Sequence, residues 1–531
     1  MAYYLLLVAV VILLCLFLNK MTNKLGIPML LLYILLGMLF GTDGILKIPF
    51  DNFEMAERIC TVSLIFIMFY GGFGTNWKQA KKVAVQASML STLGVVLTAV
   101  LTGLFCHFIL RFAWMESLLI GAVIGSTDAA SVFAILRSKR LNLKDNTASL
   151  LEVESGSNDP CAYMMTVLIL SMMSGTDDGV GMLGMVALQI LCGVAAGILA
   201  AMAAGFVLNR MRLDYEGLDL ILVFSMVLMG YAGAEVIGGN GYLSVYIAGI
   251  LLGNRSLQNK KALVHFFDGI TGLMQILIFF MLGLLANPSS LPAILPYGLA
   301  VAVFLTLVAR PAAVFAILTP FRCSMRQMLL VSAAGLRGAA SIVFAILAVV
   351  SPAYTKYDIF HIVIFIVLFS IALQGTLLPM LARKLDMLDE NSDVMRTFSD
   401  YSDELPVEFV KVSVREGHPW ANRRVREIET LPDLLLVLII RGDKRLVPRG
   451  NTMVQEGDKI VLSALAPEEH LGVCLTELEV DKNCPWIDKP LSKVRMEEEK
   501  LVLLLKREDK VVIPNGDTVI RENDILVIGH V

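Results

Sequence analysis

The sequence predicts a polytopic α-helical membrane protein of thirteen spans, followed by a cytoplasmic α+β region. The 531 residues are 56% hydrophobic and only 17% charged, whereas charged residues make up about 25% of an average soluble protein. The apolar runs are confined to residues 1 to about 384, and the rest has the composition of a soluble domain. No phosphate-binding loop, nucleophile triad or metal-ligand spacing of histidines occurs, so we expect a protein that is not an enzyme.

Thirteen apolar runs are candidates for membrane spans, since a helix needs roughly 20 apolar residues to cross the hydrocarbon core. The first follows no basic residue and precedes no small-residue cleavage site, so we interpret it as a span and not a signal peptide. The runs cover approximately residues 3–19, 26–41, 59–76, 83–110, 115–136, 147–173, 180–208, 218–237, 241–253, 267–286, 294–318, 327–350 and 358–382.

The loops predict the orientation of the chain. Loops that follow odd-numbered spans contain sixteen Lys and Arg residues, and loops that follow even-numbered spans contain four. Because Lys and Arg mark the cytoplasmic side, the N-terminus is expected outside and the C-terminal region in the cytoplasm.

Spans 5 and 12 contain similar segments, Ser131 to Leu136 and Ser341 to Leu347. Each follows a small-residue stretch with one charge, Asp128 or Arg337. The pattern predicts that spans 1–6 and 8–13 are inverted repeats joined by span 7, an arrangement in which interrupted helices form the binding site of secondary transporters. Chance is the alternative, because these apolar residues are common in any span.

The C-terminal region is a tandem repeat at an offset of 66 residues. His418-Pro419-Trp420 aligns with Cys484-Pro485-Trp486, and each unit has a Pro-x-Gly-x-Thr turn between two strand-like runs. The pattern predicts two small α+β modules. The predicted organisation is a membrane domain at 1–384, an acidic polar linker at 385–405, and modules at 406–469 and 470–531.

Two acids, Asp128 and Asp159, lie within apolar spans 5 and 6. A charge in hydrocarbon is expensive, and such residues usually mark an ion path. Two carboxylates at a water-accessible site can bind a bare monovalent cation, or hold protons when the cation leaves, because burial and mutual repulsion favour the protonated form. The alternative is a pair of acids that neutralise basic residues and have only a structural role.

Three neighbouring polar residues could supply further oxygen ligands. Thr127 and Asn158 each precede one of the acids, and Ser155 lies one helical turn before Asp159. A hydroxyl or an opened backbone at Thr127 would offer an oxygen to a cation. For Ser155, a hydrogen bond to its own helix is the alternative.

Glu154 and Arg337 are conspicuous mid-span charges of opposite sign. Leaving either alone in the membrane would be costly. We therefore expect a structural ion pair that ties span 6 to span 12.

The motifs Ser126-Thr127-Asp128, Glu154-Ser155-x-x-Asn158-Asp159 and Gly335-Leu336-Arg337-Gly338 resemble the cation:proton antiporter-1 family, the NhaP-type exchangers. The resemblance covers roughly residues 1–384. It implies thirteen spans with a dimerisation part and a six-helix core, in which spans 5 and 12 are broken and cross. It departs at Ala129, where many relatives have proline.

On the matching positions, the resemblance implies that Asp159 is the central cation and proton site. Asp128 and Ser155 would be ligands, Thr127 would contribute an oxygen, and Asn158 would orient the site. Glu154 with Arg337 would brace it. Antiporters with two adjacent acids in span 6 typically move charge, so Asn158 beside Asp159 favours electroneutral exchange.

The tail modules resemble TrkA-C domains, the C-terminal lobes of regulators of potassium conductance. This resemblance favours K⁺ as the cation. It leaves two alternatives for the tail: a nucleotide ligand such as cyclic di-AMP, or a dimerisation module without a ligand.

The expected function is therefore exchange of K⁺ or Na⁺ for protons across a bacterial inner membrane by a homodimer in lipid, regulated by the tail. We expect no cofactor and no nucleic-acid partner. The alternatives are a Na⁺/H⁺ antiporter for sodium and pH homeostasis, or a cation sensor or channel with the same fold. A tight proton-coupled site argues against a channel, because tight binding slows conduction.

Overall fold

The computed structural model divides the chain into two compact units, Met1–Ser402 and Asp403–Val531. Each unit has its own buried apolar clusters. The structure describes residues 2–25, 28–138, 141, 143–175, 181–210, 217–255, 257, 260–353, 355–388, 407–414, 417–428, 434–442, 444–465, 474–480, 484, 486–494, 500–507, 510–512 and 514–530.

The described part of the first unit is predominantly helical. Its helices are α1 (Ala2–Leu25), α2 (Met29–Phe40), α3 (Phe53–Gly74), α4 (Trp77–Met89), α5 (Val95–Phe108), α6 (Trp114–Val123), α7 (Ala129–Ser138), α8 (Thr147–Ser174), α9 (Gly181–Arg210), α10 (Leu218–Val236), α11 (Gly241–Gly253), α12 (Lys260–Leu285), α13 (Leu291–Phe304), α14 (Arg310–Leu318), α15 (Met325–Ala333), α16 (Ala339–Val350), α17 (Ile359–Phe369) and α18 (Gly375–Lys384).

Three short π-helical segments join pairs of these helices into longer rods. They are Leu90–Gly94 between α4 and α5, Leu305–Ala309 between α13 and α14, and Ser370–Gln374 between α17 and α18. A π-helical turn shifts the register of the side chains that follow it and often occurs at functional sites. Arg310 directly follows one of these segments, and Ser370 is the first residue of another.

Seven helices in the described part of the chain are long and apolar enough to cross a membrane. Five further helices are apolar but shorter, among them α2, α6, α11 and α16. Helix α8 has 28 residues but carries Glu152, Glu154 and Asp159. A polytopic membrane architecture is therefore established, whereas the count of thirteen spans stays a prediction.

Spans 5 and 12 are each interrupted in the middle. Residues 124–128 separate α6 from α7, and residues 334–338 separate α15 from α16. Span 5 is broken even though position 129 is alanine and not the proline of many relatives. The expectation of two broken spans is met, and the two breaks contact each other at the candidate site.

Glycines allow close approach between helices of this unit. A Cβ atom at Gly37 of α2 would lie 2.8 Å from Gly283 Cα of α12. A Cβ atom at Gly197 of α9 would lie 2.4 Å from Ser244 O of α11. Lipid tails are as apolar as leucine, so membrane helices associate mainly through such close packing.

The second unit contains two sheets of the same design. Strands β1 (Val407–Ser413), β2 (Leu434–Arg441), β3 (Lys444–Leu446) and β4 (Lys459–Leu465) form one antiparallel sheet in the order β1-β4-β2-β3. Strands β5 (Cys474–Glu479), β6 (Lys500–Arg507), β7 (Lys510–Val512) and β8 (Ile525–His530) form the other in the order β5-β8-β6-β7.

A matching ion pair anchors each sheet. Arg441 donates to both oxygens of Asp458 at 2.8 Å, and Arg507 donates to Asp524 at 2.8 and 2.7 Å. The Arg441 guanidinium holds the pKa of the Asp458 carboxyl below its ordinary value. These pairs lie 66 residues apart, so the duplication extends to the polar contacts. The exact module boundaries stay predictions, and Pro485 of the aligned motif lies outside the described residues.

The predicted linker, 385–405, begins differently from expectation. Leu385, Met387 and Leu388 belong to or pack against a buried apolar cluster of the first unit. The remaining linker residues, 389–405, lie outside the described part of the chain. The apolar side chains at 385, 387 and 388 explain why this start of the segment is packed and not solvated.

Candidate functional site

The site is built where the two broken spans meet. The backbone N–H of Asp128 donates to the Leu336 carbonyl at 2.8 Å, which joins one break directly to the other. In hydrocarbon every backbone polar group needs an internal partner, because water is absent. This bond satisfies one polar group of each break and fixes the position of one break against the other.

Gly338 allows this close contact. A Cβ atom at position 338 would lie 2.0 Å from Asp128 Oδ2, far inside van der Waals contact. The carboxylate of one broken helix thus lies directly against the backbone of the other. A residue with any side chain at 338 would force Asp128 to move.

Asp128 also caps the second half of its own span. Its Oδ1 accepts from the Ser131 backbone N–H at 3.2 Å, and its Oδ2 accepts from the Ser131 hydroxyl at 2.5 Å. A carboxylate at a helix N-terminus satisfies an orphan N–H and interacts favourably with the helix dipole. The cap fixes the position of the Asp128 carboxylate.

Three of the predicted ligands are brought together by hydrogen bonds between spans 5 and 6. The Ser155 hydroxyl donates to the Thr127 carbonyl at 2.8 Å. The Asn158 amide donates to the Thr127 hydroxyl at 2.6 Å. By this bond, the Ser155 hydroxyl donates its hydrogen to span 5 and not to a carbonyl of its own helix. The Asn158 amide orients the Thr127 hydroxyl at the break.

Asp159 lies on the next position of α8. The Ser126 hydroxyl and the charge of Asp128 both act on its carboxylate. Its Oδ1 is buried without a hydrogen-bond partner among the described residues, and so is Asn158 Oδ1. Two buried acceptor oxygens without donors suit a bound cation or a proton, because leaving them empty is costly.

The predicted ion pair between Glu154 and Arg337 is corrected by the structure. Glu154 Oε1 instead contacts Arg310 Nη1 at 2.6 Å, with both side chains almost fully buried. Among the described residues Glu154 has no ion pair within 4 Å with Arg337, although its charge still acts on that guanidinium. A second arginine, Arg310, also lies within an apolar run, and it is the one that reaches the Glu154 carboxylate.

Arg337 stabilises the break in span 5. Its guanidinium donates to the Ser126 carbonyl, and its backbone N–H donates to the Ser370 hydroxyl at 3.0 Å. Ser370 in turn donates to Gln374. Arg337 is therefore a brace between spans, as expected, but through an unwound carbonyl and not through Glu154.

Two residues of this site were missed from the sequence. Arg310 lies within the apolar run 294–318, and a charge there is the same signal that identified Arg337. In the sequence, Ser126 is only the first residue of the Ser126-Thr127-Asp128 motif. The Ser126 carbonyl can accept from Arg337 because the helix is broken at this point. No sequence pattern predicts that contact.

Comparison with known proteins gives the family. The family model "Sodium/hydrogen exchanger, transmembrane" matches residues 8–384, and the model "TrkA-C domain" matches residues 409–468 and 475–529.

The chain belongs to the sodium/hydrogen exchanger family.

Relatives of this exchanger come from bacteria and an archaeon. It is 33% identical to the K⁺/H⁺ antiporter NhaP2 of Shewanella baltica (strain OS223) over 461 residues, covering 86% of this chain and 79% of that relative. It is 32% identical to the K⁺/H⁺ antiporter NhaP of Alkalimonas amylolytica over 461 residues, covering 86% and 80%. Both resemblances predicted from the sequence, to the exchangers and to TrkA-C domains, are confirmed.

The exchanger also matches a solved structure. The sodium proton antiporter MjNhaP1 of Methanocaldococcus jannaschii, determined at pH 8, aligns with a TM-score of 0.63 and 26% sequence identity. The alignment covers 71% of this chain and 97% of that structure. The helical unit therefore has the fold of a known exchanger.

The contact between Glu154 and Arg310 predicts a strong energetic coupling in this exchanger. Arg310→Met should lower the free energy of unfolding by about 3–5 kcal/mol, because it leaves a buried carboxylate without its ion pair. Glu154→Gln with Arg310→Met should cost less than the sum of the two single changes. Unfolding of the purified protein in mixed micelles measures both. The control is a second double-mutant cycle, with Arg337→Met and Glu154→Gln. If the coupling free energy between Glu154 and Arg337 equals or exceeds that between Glu154 and Arg310, the observed pairing is wrong.

Gly338→Ala should reduce exchange about 100-fold, since displacing Asp128 by an ångström misplaces the reacting group. Cation-dependent proton flux in liposomes measures the change. Gly269→Ala in α12 is the control, because a Cβ atom there would meet nothing within 4 Å. Normal flux in Gly338→Ala would mean that the position of Asp128 is unimportant.

Proposed function

We propose that the protein is a secondary active transporter that exchanges a monovalent cation for a proton across the bacterial inner membrane. K⁺ is the favoured cation, the exchange is one for one, and access to the site alternates between the two sides. The cytoplasmic tail regulates the exchange. Membership of the sodium/hydrogen exchanger family supports this class of activity.

One observation carries the assignment of the site. Asp159 holds a buried carboxylate oxygen without a hydrogen-bond partner among the described residues, next to the crossing of two broken helices. A carboxylate in such surroundings binds either a cation or a proton, and the two compete for it. Asp128, Thr127, Ser155 and Asn158 supply and orient the oxygens around it. Competition at one site, opened to each side in turn, gives coupled exchange.

The choice of K⁺ rests on the relatives and on the tail. The similar proteins of Shewanella baltica and Alkalimonas amylolytica are named K⁺/H⁺ antiporters, whereas the Methanocaldococcus jannaschii relative is named a Na⁺/H⁺ antiporter. Oxygen ligands suit both ions. Sodium exchange for sodium and pH homeostasis is therefore the second candidate.

Electroneutral exchange is supported by the role of Asn158. Its amide donates to Thr127, so it acts as an orienting neutral group beside Asp159. A single acid at this position binds one proton or one monovalent cation. A neutral cycle draws nothing from the membrane potential, which is worth about 2.3 kcal/mol per charge per 100 mV.

The remaining parts of the proposal concern assembly. We propose thirteen spans in two inverted repeats, an outer N-terminus, a cytoplasmic tail and a homodimer. The tail modules are proposed to bind a small nucleotide such as cyclic di-AMP, or to dimerise without a ligand. A cation sensor or channel with the same fold is the remaining alternative, and flux measurements separate it from an exchanger.

Regulation by the tail is supported by the segment that leads towards it. After α18, the Met387 carbonyl accepts from the Lys144 backbone N–H at 2.9 Å, and Leu388 forms an antiparallel bridge with Leu143. Met387 is 2% exposed. Lys144 lies in the loop between α7 and α8, the helices that begin beside Asp128 and contain Asp159. A pull on this segment would therefore reach both acids.

Ion pairs secure the same segment at its surface. Asp386 lies 3.0 Å from Lys144 Nζ and 3.1 Å from Arg326 Nη1. The hydrogen bond from Lys144 lowers the pKa of the Asp386 carboxyl. Since the folded pKa is depressed, this contribution is present above the unfolded pKa of about 3.9 and is lost only as the pH falls through the folded pKa. Because these pairs are exposed, the buried apolar contacts hold most of the segment.

Asp159→Asn should abolish cation-driven proton movement, because the amide cannot hold a proton or a charge-balanced cation. The measurement uses liposomes that contain the purified protein and a pH dye, pulsed with K⁺, Na⁺ or Li⁺ with the voltage clamped or unclamped. We expect flux with K⁺ and no dependence on voltage. Glu235→Gln, a partly buried acid of α10, is the control. Normal flux in Asp159→Asn would refute the assignment of the site, and voltage-dependent flux would refute neutral exchange.

Met387→Asp in the full chain should give the exchange rate of a chain truncated after Leu388, because the detached segment no longer transmits the tail. Initial rates of proton flux at saturating K⁺ compare the full chain, the truncated chain and the variant. Asp386→Asn, which removes only exposed ion pairs, should keep the rate of the full chain. Suppose that truncation changes the rate of proton flux but Met387→Asp keeps the rate of the full chain. The tail would then not act on exchange through this segment.

A further inference from the structure

Helix α8 presents a second acid on the same face as Asp159. Glu152 lies seven residues earlier, with Gly156 between them at the intermediate turn. Residues separated by four and seven positions share one face of a helix. Glu152 is half-buried and lies near the Thr147 end of α8, where the helix begins. Glu152, Gly156 and Asp159 therefore follow one another along one face of α8, from its Thr147 end to the proposed transport site.

Tyr246 of α11 occupies the gap at Gly156. A Cβ atom at Gly156 would lie 2.4 Å from Tyr246 Cε2 and 2.7 Å from its hydroxyl oxygen. The phenol therefore lies against the backbone of α8, and only glycine leaves room for it. Tyr246 is 3% exposed. Its ring therefore meets α8 at Gly156, the position between Glu152 and Asp159 on this helix face.

The Tyr246 hydroxyl is buried, and its oxygen accepts no hydrogen bond from a described residue. The nearby Thr75 hydroxyl acts on the Tyr246 phenol but donates its own hydrogen to the Gly71 carbonyl at 3.1 Å, so the phenol oxygen keeps its lone pairs. Pro160 has no N–H to donate to the Gly156 carbonyl, which lies at the same turn of α8. A buried hydroxyl without a partner costs free energy unless something binds to it. This oxygen is thus available to a passing ligand.

The surroundings of this hydroxyl favour a cation. The charges of both Glu152 and Asp159 act on the Tyr246 phenol. Two carboxylates on one helix face, with a neutral oxygen between them, attract a cation and offer it oxygen ligands in sequence. Helix α11 itself is packed tightly against α3, because a Cβ atom at Gly72 would lie 2.3 Å from the Tyr246 carbonyl. Tyr246 is therefore a fixed group facing α8.

We propose that Glu152 and Tyr246 form the approach from the Thr147 end of α8 to the transport site. Glu152 attracts the monovalent cation, and the Tyr246 hydroxyl binds it as an oxygen ligand beside Asp159. The same pair sets the affinity for the cation on that side of the membrane. This inference rests on the proposed role of Asp159 as the cation and proton site.

The test measures proton flux in liposomes against the K⁺ concentration for the full-length protein. Tyr246→Phe keeps the ring in its gap and removes only the hydroxyl. It should raise the K⁺ concentration for half-maximal flux about tenfold and leave the maximal rate within about twofold, as expected for loss of a ligand. Glu152→Gln should raise the same concentration about threefold, and the increase should shrink at high ionic strength of an impermeant salt.

Tyr242→Phe is the matched control. Tyr242 lies one turn earlier on α11 and is equally buried, but its ring contacts Tyr163 and Tyr231. It should leave the half-maximal concentration unchanged. A second control tests the fit of Tyr246 against Gly156. Gly156→Ala alone should lose flux. The double variant Gly156→Ala with Tyr246→Ala should recover part of the maximal rate, but its K⁺ concentration for half-maximal flux should stay raised.

The outcomes separate this inference from the proposed function. If Asp159→Asn abolishes flux while Tyr246→Phe and Glu152→Gln both keep the parental half-maximal concentration, the approach path is wrong and the transport site stands. If Asp159→Asn keeps its flux, the transport site itself is wrong. Should Tyr246→Phe fail to fold, Glu152→Gln alone decides, and an unchanged half-maximal concentration there would overturn the inference.

Discussion

The structure depends on how two unwound stretches of backbone satisfy their polar groups inside a membrane. The bond between the Asp128 N–H and the Leu336 carbonyl joins the breaks of spans 5 and 12. An unpaired peptide group in hydrocarbon costs several kcal/mol, so the crossing is strongly fixed. Once it is fixed, Asp128 must lie against Gly338, and the second half of each broken span begins at a defined point.

Side chains of the neighbouring spans complete the same task in both halves of the membrane unit. In one half, Ser155 donates to the Thr127 carbonyl of the broken span. In the other half, Ser370 accepts from the Arg337 N–H of the broken span. The residue types differ, but in each case a span that follows a broken one supplies a hydroxyl to the exposed backbone.

Two kinds of feature can be predicted from the sequence: charged residues that are costly to place in a membrane, and structure that repeats along the chain. Acids in apolar runs identified Asp128 and Asp159, and the 66-residue offset predicted two equal sheets that the ion pairs Arg441–Asp458 and Arg507–Asp524 repeat. The partner of Glu154 could not be predicted in this way. Arg310 directly follows a π-helical segment, and such a segment rotates the residues after it relative to a regular helix. No periodicity argument places a side chain beyond an unrecognised π turn.

The charges at the two breaks fit the proposed exchange of one monovalent ion for one proton. Two arginines, Arg310 and Arg337, and three acids, Asp128, Glu154 and Asp159, contact the two breaks or each other, and they carry two positive and three negative charges when ionised. Glu152 lies outside this group, seven residues before Asp159. Two positive and three negative charges leave a net charge of −1, which one proton or one K⁺ neutralises. An acid in place of Asn158 would leave −2 and would require two positive charges to reach neutrality. Because a net charge in a low-dielectric interior is costly, the site is most stable with one bound cation or one proton. The neutral amide at Asn158 and the second arginine at 310 therefore act together to favour exchange of one ion for one proton.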